Sequence, residues 1–182
     1  MRNIFTGLIL LFAMTANAQE LNKKIEDPTR HKQVLINKCS REGITTFAEF
    51  KESYDPNYAA YKPDSAVVPS LEKAFKGHKV TIVLGTWCGD SKLQVPHFLK
   101  IMDAMKVKAE DITIIAVDGV KKAEAGLIDN LKITNVPTFI FNDEKGTEIG
   151  RITESPRETL EKDILVLLSA KPATNTKPDQ KF

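Results

Sequence analysis

The chain has 182 residues, of which 42% are hydrophobic and 27% are charged, with a formal net charge of +2 at pH 7. This composition is typical of one globular domain with an ordinary hydrophobic core. The near-neutral charge does not indicate the basic surface of a nucleic-acid-binding protein, and two cysteines are too few for a small domain stapled by disulfides.

Residues 1–18 have the pattern of a secretory signal peptide. Arg2 supplies a positive charge, residues 4–14 are almost all apolar, and Ala16 and Ala18 are the small residues that a signal peptidase reads. The apolar run is short for a permanent membrane anchor, although an uncleaved anchor or a short core helix remains the alternative. We therefore predict an exported protein, periplasmic or extracellular, with no membrane segment after cleavage.

Residues 19–79 are predicted to form an N-terminal helical extension, because apolar residues recur there at intervals of three and four. We interpret the aromatic residues of this stripe as core packing. The positions that carry the prediction are Val34, Leu35, Lys38, Phe47, Phe50 and Tyr54.

Residues 80–169 are predicted to form an α/β domain with a mixed central β-sheet flanked by helices. Two continuous β-branched runs indicate buried strands, and two strands joined through a helix should be parallel. A final hairpin adds antiparallel strands. Strands are predicted at 80–84, 112–117, 138–141 and 147–152, and helices at 91–106 and 123–131.

The end of this domain carries a helix-start signal and then loses its periodicity. Ser155 can cap a last helix, Pro156 suits its first position, and Glu158 completes a capping box. Residues 170–182 are polar, contain proline and show no apolar period, which predicts a disordered tail.

The stretch that carries chemistry is WCGDS, at residues 87–91. A cysteine between a strand and a helix faces unpaired backbone N–H groups and the positive end of the helix dipole, which both stabilise a thiolate. Cys88 is therefore the candidate nucleophile, and Trp87 is predicted either to wall one side of its sulfur or simply to pack. Lys92 favours the thiolate, whereas the Asp90 carboxylate opposes it.

Ser91 stands three positions after Cys88, where a two-cysteine redox site would have its second thiol. A serine hydroxyl can donate a hydrogen bond to the thiolate or begin the helix, but it cannot attack a mixed disulfide. Release must therefore come from a thiol on the substrate, from a small thiol or from Cys39. We predict Cys39 on a helix of the extension, either buried and inert or available to resolve or pair with Cys88.

Three features make residues 80–169 resemble a thioredoxin fold. The tetrapeptide at 87–90 follows a buried strand and opens a helix, Pro96 falls eight residues after the cysteine, and Val-Pro-Thr at 136–138 precedes the hairpin. The chain is similar to a group of exported bacterial thioredoxin-family proteins with a single-cysteine, Cys-x-x-Ser, site. Ile82 departs from the thioredoxin pattern, which has a buried carboxylate at that position.

The resemblance implies a cis peptide bond before Pro137, with the backbone of Val136 exposed beside Cys88. Such a backbone can pair with an extended substrate by strand addition. The expected partners are protein or small-molecule thiols and disulfides. The predicted catalytic residues are Trp87, Cys88 and Ser91, and the predicted substrate-binding residues are Gly89, Asp90, Val136, Pro137 and Thr138.

We predict thiol–disulfide exchange, oxidoreductase-like or isomerase-like, through Cys88 alone. The alternative is a redox-inactive binding or chaperone-like module that uses the groove at Pro137. No histidine has a partner at metal-ligand spacing, so no metal is expected. No cofactor is expected either, because the tetrapeptide differs from that of the single-thiol glutaredoxins that share an iron–sulfur cluster. The substrate, the redox direction and the oligomeric state stay open.

Overall fold

The structure, a computed structural model, describes residues 20–169. The signal peptide predicted at 1–18 and the tail predicted at 170–182 lie outside the described residues. The strands are β1 (Lys23–Asp27), β2 (Lys32–Cys39), β3 (Lys79–Leu84), β4 (Ile112–Ala116), β5 (Thr138–Asn142) and β6 (Glu148–Thr153). The helices are α1 (Arg41–Thr46), α2 (Ala48–Ala60), α3 (Val68–Ala74), α4 (Gly89–Ala104) and α5 (Leu160–Ser169).

All six strands form one sheet in the order β1-β2-β4-β3-β5-β6. β3 and β4 are parallel, as two strands joined through a helix should be, and the other neighbouring pairs are antiparallel. The predicted α/β fold with a mixed central sheet flanked by helices is thereby confirmed. Within residues 20–169, no helix is long and apolar enough to cross a membrane.

The extension begins as a β-hairpin, and the helical prediction for residues 23–39 is wrong. β1 pairs with β2 from Lys23 opposite Ile36 to Asp27 opposite Lys32, and β2 continues along β4. Cys39 consequently ends a strand and does not lie on a helix. A short continuous apolar run such as 34–36 fits a buried strand as well as a helix, and only its neighbours in the sheet decide. The helices of the extension follow, as α1 to α3.

Two later elements also differ from the prediction. The helix predicted at 123–131 is a pair of 3-10 turns, Glu124–Gly126 and Asp129–Leu131. The last helix begins at Leu160 and not at Pro156 after a cap at Ser155. The Asp163 carboxylate accepts hydrogen bonds from the backbone N–H groups of Arg157 and Glu158, which holds these residues in a bend before the helix.

The core has two parts, one on each face of the sheet, because successive side chains of a strand point to opposite faces. Ile82 and Leu84 of β3 belong to a large cluster beneath the five α-helices, whereas Val83 belongs to a smaller cluster beneath the two 3-10 turns. Leu35 and Phe50 of the extension lie in the large cluster. The sheet and the core therefore both contain residues from before and after the boundary predicted between residues 79 and 80.

Candidate active site

Cys88 occupies the N-cap position of α4, directly after the loop that follows β3. Its backbone is extended, with φ −86° and ψ 128°, and its N–H donates to the carbonyl of Gly85 at 2.9 Å. The side chain is partly exposed. The sulfur is therefore held at the helix end where backbone N–H groups lack partners within the helix.

The Cys88 sulfur lies against the loop that precedes β5. Its thiol donates to the carbonyl oxygen of Val136 at an S···O distance of 3.2 Å, and the Val136–Pro137 peptide bond is cis. Val136 itself is only 2% exposed, so its backbone is not exposed beside Cys88 as the resemblance implied. The carbonyl of Pro137 is already engaged, because it accepts from the backbone N–H of Glu154 at 2.7 Å. Thr138 is buried, and its hydroxyl donates to the carbonyl of Asn135 at 2.7 Å, which closes the loop.

Gly89 and Asp90, the other predicted substrate-binding residues, are exposed in the first turn of α4. The space around the Gly89 α-carbon is open, because a β-carbon built there would meet no atom within 4 Å. The structure thus leaves this side of Cys88 accessible to solvent and to a partner.

The indole of Trp87 is fixed on several sides. Its Nε1–H donates to the carbonyl of Val117 at 3.0 Å, and its ring covers Gly85 so closely that a β-carbon there would lie 2.6 Å from it. On the ring face, the guanidinium carbon of Arg30 lies 3.9 Å from the centroid. The Trp87 ring is therefore held in a fixed position by Val117, Gly85 and Arg30, and the contact with Arg30 is one that the sequence did not predict.

The turn between β1 and β2 brings Arg30 to this place, and Asp27 anchors the turn. One oxygen of the buried Asp27 carboxylate accepts from the backbone N–H and the hydroxyl of Thr29 and from the backbone N–H of Arg30, at 2.8, 2.7 and 3.0 Å. The other oxygen accepts from the backbone N–H of Gly119, in the loop after β4. Burial raises the pKa of Asp27, but these hydrogen bonds outweigh it and hold the pKa at about 2.

A signal for this turn is present in the sequence. Asp27 and Pro28 are turn-forming residues, and an aspartate side chain often accepts hydrogen bonds from the backbone of its own turn. The contact of that turn with Trp87 carries no local signal.

Ser91 is fully buried, and its hydroxyl oxygen accepts from the backbone N–H of Gly85 at 3.3 Å. Among the described residues, no hydrogen bond joins this hydroxyl to the Cys88 sulfur. Ser91 therefore links the first turn of α4 to the end of β3, and it does not donate to the thiol as the sequence suggested. The helix begins one position after Cys88, at Gly89.

Lys92, predicted to favour the thiolate, is paired elsewhere. Its Nζ lies 3.0 Å from Oε1 of Glu49 on α2, and the same oxygen accepts from Lys32 on β2. Burial raises the pKa of Glu49, but the two lysines outweigh it and lower the pKa below its ordinary value. This group ties the hairpin and α2 to the start of α4.

Cys39 and Cys88 are both free, and the structure does not bring them together. Cys39 is only 7% exposed in the large cluster, whereas Cys88 packs against the small cluster on the opposite face of the sheet. Burial raises the pKa of Cys39 to about 11, against a smaller opposing effect of a hydrogen bond from the backbone of Ala116. A thiol held protonated in the core is a poor resolving nucleophile.

The histidines take no part in the site. His97 stacks on Tyr61 with 4.1 Å between ring centroids, and burial lowers its pKa. In the part of the chain that the structure describes, no group of three or more His, Cys, Asp or Glu side chains is arranged to hold a metal ion.

Comparison with known proteins agrees with this geometry. A sequence family described as thioredoxin matches residues 41–166. Thioredoxin H2-1 of Oryza sativa subsp. japonica is 31% identical over 124 residues, which cover 62% of this chain and 85% of the plant protein. The crystal structure of a protein of unknown function from Pseudomonas aeruginosa is similar in fold, with a TM-score of 0.55 and 13% identity over 71% of this chain and 90% of that chain.

Proposed function

Because the chain belongs to the thioredoxin family, we propose that it exchanges thiols and disulfides with Cys88 as its only nucleophile. The observation that carries the proposal is the placement of this sulfur: partly exposed, at the start of α4, and 3.2 Å from the carbonyl of Val136. The other candidate groups support the single-thiol version, because Ser91 has no sulfur and Cys39 is buried in the opposite cluster.

In the first step, the Cys88 thiolate attacks one sulfur of a substrate disulfide. A bond forms between the Cys88 sulfur and that sulfur, the original S–S bond breaks, and the second substrate sulfur leaves as a thiolate that takes up a proton. The positive end of the α4 dipole favours the attacking anion. The product is a mixed disulfide between Cys88 and the substrate.

Val136 is buried in the thiol state, and we propose that its carbonyl, which the Cys88 thiol contacts, binds the substrate backbone in this intermediate. The Cys88 sulfur of a mixed disulfide carries no proton, so the carbonyl of Val136 loses the donor that it has in the thiol state. A backbone N–H of an extended substrate can replace that donor, as in strand addition. The carbonyl of Pro137, by contrast, already has a donor in the backbone N–H of Glu154.

Release requires a thiol from outside the site. An incoming thiolate attacks the substrate sulfur of the mixed disulfide, a new disulfide forms there, and Cys88 leaves as a thiolate. If the thiol belongs to the same substrate, the net result is isomerisation; if it is a small thiol, the substrate leaves joined to it and a second exchange completes reduction. Ser91 can do neither, because its hydroxyl does not attack sulfur.

The test uses purified residues 19–182 as wild type, Cys88→Ser and the matched control Cys39→Ala. Each is mixed with a disulfide-linked peptide, and adducts are identified by intact mass before and after reductant. We expect a reductant-sensitive adduct with wild type and with Cys39→Ala, and none with Cys88→Ser. Equal exchange by Cys88→Ser would remove the basis of the proposal.

One alternative function, a redox-inactive binding or chaperone-like module, is favoured by the missing second thiol at Ser91. It would use the Val136 backbone as a peptide groove without bond exchange. The same variants separate the two functions: peptides retained equally by wild type and Cys88→Ser, with no covalent adduct, support the module.

We also propose that the protein acts outside the cytoplasm, in the periplasm or the extracellular medium. The support is the charge, apolar run and small residues of positions 1–18. Fractionation with intact-mass measurement should find a chain beginning at Gln19 in the exported fraction. In Ala18→Arg, the signal peptidase should no longer cut, so intact mass should show the full-length chain. Wild type found at full length and only in the cytoplasm would refute export.

A further inference from the structure

The turn between β1 and β2 adds to the site a basic side chain that lies outside residues 41–166, the part matched by the family. The guanidinium carbon of Arg30 lies over the face of Trp87, at 3.9 Å from the ring centroid, and Trp87 directly precedes Cys88 in the sequence. We propose that Arg30 is a specificity-determining residue, which binds a carboxylate of the substrate beside the sulfur that Cys88 attacks. This inference rests on the proposed exchange reaction.

The charge of Arg30 is available to a ligand. Arg30 is exposed, and none of the salt bridges among residues 20–169 includes it. A guanidinium that stacks on an aromatic ring keeps its N–H groups at the edge of the stack, where they can bind a carboxylate through two parallel hydrogen bonds. Stacking therefore orients the group without using its donors.

The position of Arg30 is set before any ligand binds. Its backbone N–H donates to Asp27, whose second carboxylate oxygen accepts from Gly119 in the loop after β4. Its stacking partner Trp87 is fixed by the hydrogen bond to the Val117 carbonyl. A preorganised donor loses little freedom on binding, which favours selection at this position.

Two other charged side chains, in the loop after β4, have hydrogen-bond partners of their own. Lys121 donates to Asn135 at 3.1 Å, and one oxygen of Asp118 accepts from the backbone N–H groups of Val120 and Lys122, at 3.1 and 2.7 Å. Asp90 is exposed and carries the opposite charge, so the preference of the wild type is the net effect of both residues. A test must therefore compare variants of Arg30 and not substrates alone.

The predicted substrate class is a disulfide with a carboxylate close in space to one of its sulfurs. An acidic side chain next to a cysteine in a protein has this chemistry, and so does a small thiol acid. Cys88 attacks the disulfide as described above, with the carboxylate held by Arg30 and unchanged by the reaction.

The experiment measures exchange of Cys88 with three small disulfides of similar length: 3,3′-dithiodipropionate, 2-hydroxyethyl disulfide and cystamine, which are anionic, neutral and cationic. For Arg30→Gln we expect a rate about threefold to fivefold lower with the anionic disulfide, an unchanged rate with the neutral one and a higher rate with cystamine. These differences should shrink in high salt. Arg30→Lys should keep most of the charge effect, and Lys145→Gln, the same charge change at the β5–β6 turn, should show none.

A disulfide-linked peptide with glutamate or glutamine beside the cysteine separates the two sources of the carboxylate. A preference for the glutamate peptide that depends on Arg30 identifies protein side chains as ligands. An Arg30-dependent preference confined to dithiodipropionate identifies small thiol acids. Either outcome supports the inference.

Three results would overturn it. Equal slowing of all three disulfides in Arg30→Gln means that Arg30 only positions Trp87, which the emission of this single tryptophan would report independently. No slowing at all means that Arg30 binds no substrate. If wild type exchanges with none of the disulfides, the proposed function fails first and the specificity role fails with it.

Discussion

The buried hydroxyl of Ser91 accepts a hydrogen bond from the backbone N–H of Gly85, across the junction between β3 and α4. The position of the absent second thiol is thus filled by a side chain that helps to hold the junction together. The site is a single-thiol site with its own supporting contact, and this arrangement leads to a direct test.

Ser91→Cys should convert the site into one that resolves its own mixed disulfide. An internal thiol acts at an effective concentration of millimolar or more, so the adduct on Cys88 should disappear about tenfold faster without added thiol. Acid quenching and mass spectrometry measure its lifetime. Ser91→Ala is the control: it leaves the Gly85 N–H unpaired, should cost about 1–3 kcal/mol of stability, and should not shorten the lifetime. An adduct equally long-lived in Ser91→Cys contradicts the prediction.

Native protein should expose one reactive thiol of its two. Burial raises the pKa of Cys39 to about 11, so at pH 8 this thiol is both protonated and inaccessible. Alkylation at pH 8 should label one cysteine in wild type and in Cys39→Ala, none in Cys88→Ala, and both in the unfolded wild type. Rapid labelling of Cys39 in the folded chain would contradict this prediction, because it would show that the end of β2 opens to solvent.

Asp27 should make the stability of the protein depend on acidic pH. Its pKa in the folded state is lowered from 3.8 to about 2, so its contribution is present above pH 4 and is lost as the pH falls towards 2. Compared with Asp27→Asn, wild type should lose on the order of 1–2 kcal/mol across this window. Urea unfolding at pH 5, 4 and 3 measures the difference. Identical pH profiles for the two proteins would mean that the carboxylate anchors nothing.

Gly85→Ala should displace the Trp87 ring. A β-carbon at Gly85 would lie 2.6 Å from the ring, well inside contact distance, so the indole must move and lose its hydrogen bond to Val117. We expect a shift in tryptophan emission and a loss of about 1–3 kcal/mol of stability. Gly89→Ala is the control for both measurements, because a β-carbon there meets no atom within 4 Å. Unchanged emission in Gly85→Ala would show that the ring is not held against the strand end.

The strands of the central sheet were predictable where the residue types favour a strand and the fold also buries that strand. The β-branched runs at 80–84 and 112–117 form β3 and β4 in the structure, and residues 82–84 and 114–117 are buried on both faces. The placement of Cys88 at a helix start followed from the same reasoning, because a strand that ends before a helical pattern puts the intervening residue at the cap.

The β1–β2 hairpin and the contact between Arg30 and Trp87 were not predictable in the same way. The apolar residues 34–36 have no alternating pattern, because β2 is covered on both faces, and helical and strand periods are then equally consistent with them. The stacking of Arg30 on Trp87 joins residues far apart in the chain through the turn at Asp27. Neither residue type nor spacing indicates such a contact; only the order of strands in the sheet does.

That order also limits how far the chain can be shortened. Asn37 to Cys39 lie along Ala116 to Ile114 of β4, and they begin before residue 41, where the family match starts. A fragment cut to the matched region would lack β2, so the backbone N–H and C=O groups of β4 would be left unpaired. A strand from another chain can pair with such an exposed edge. The minimal family unit of this protein would be prone to self-association and would have lost the turn that shields its tryptophan.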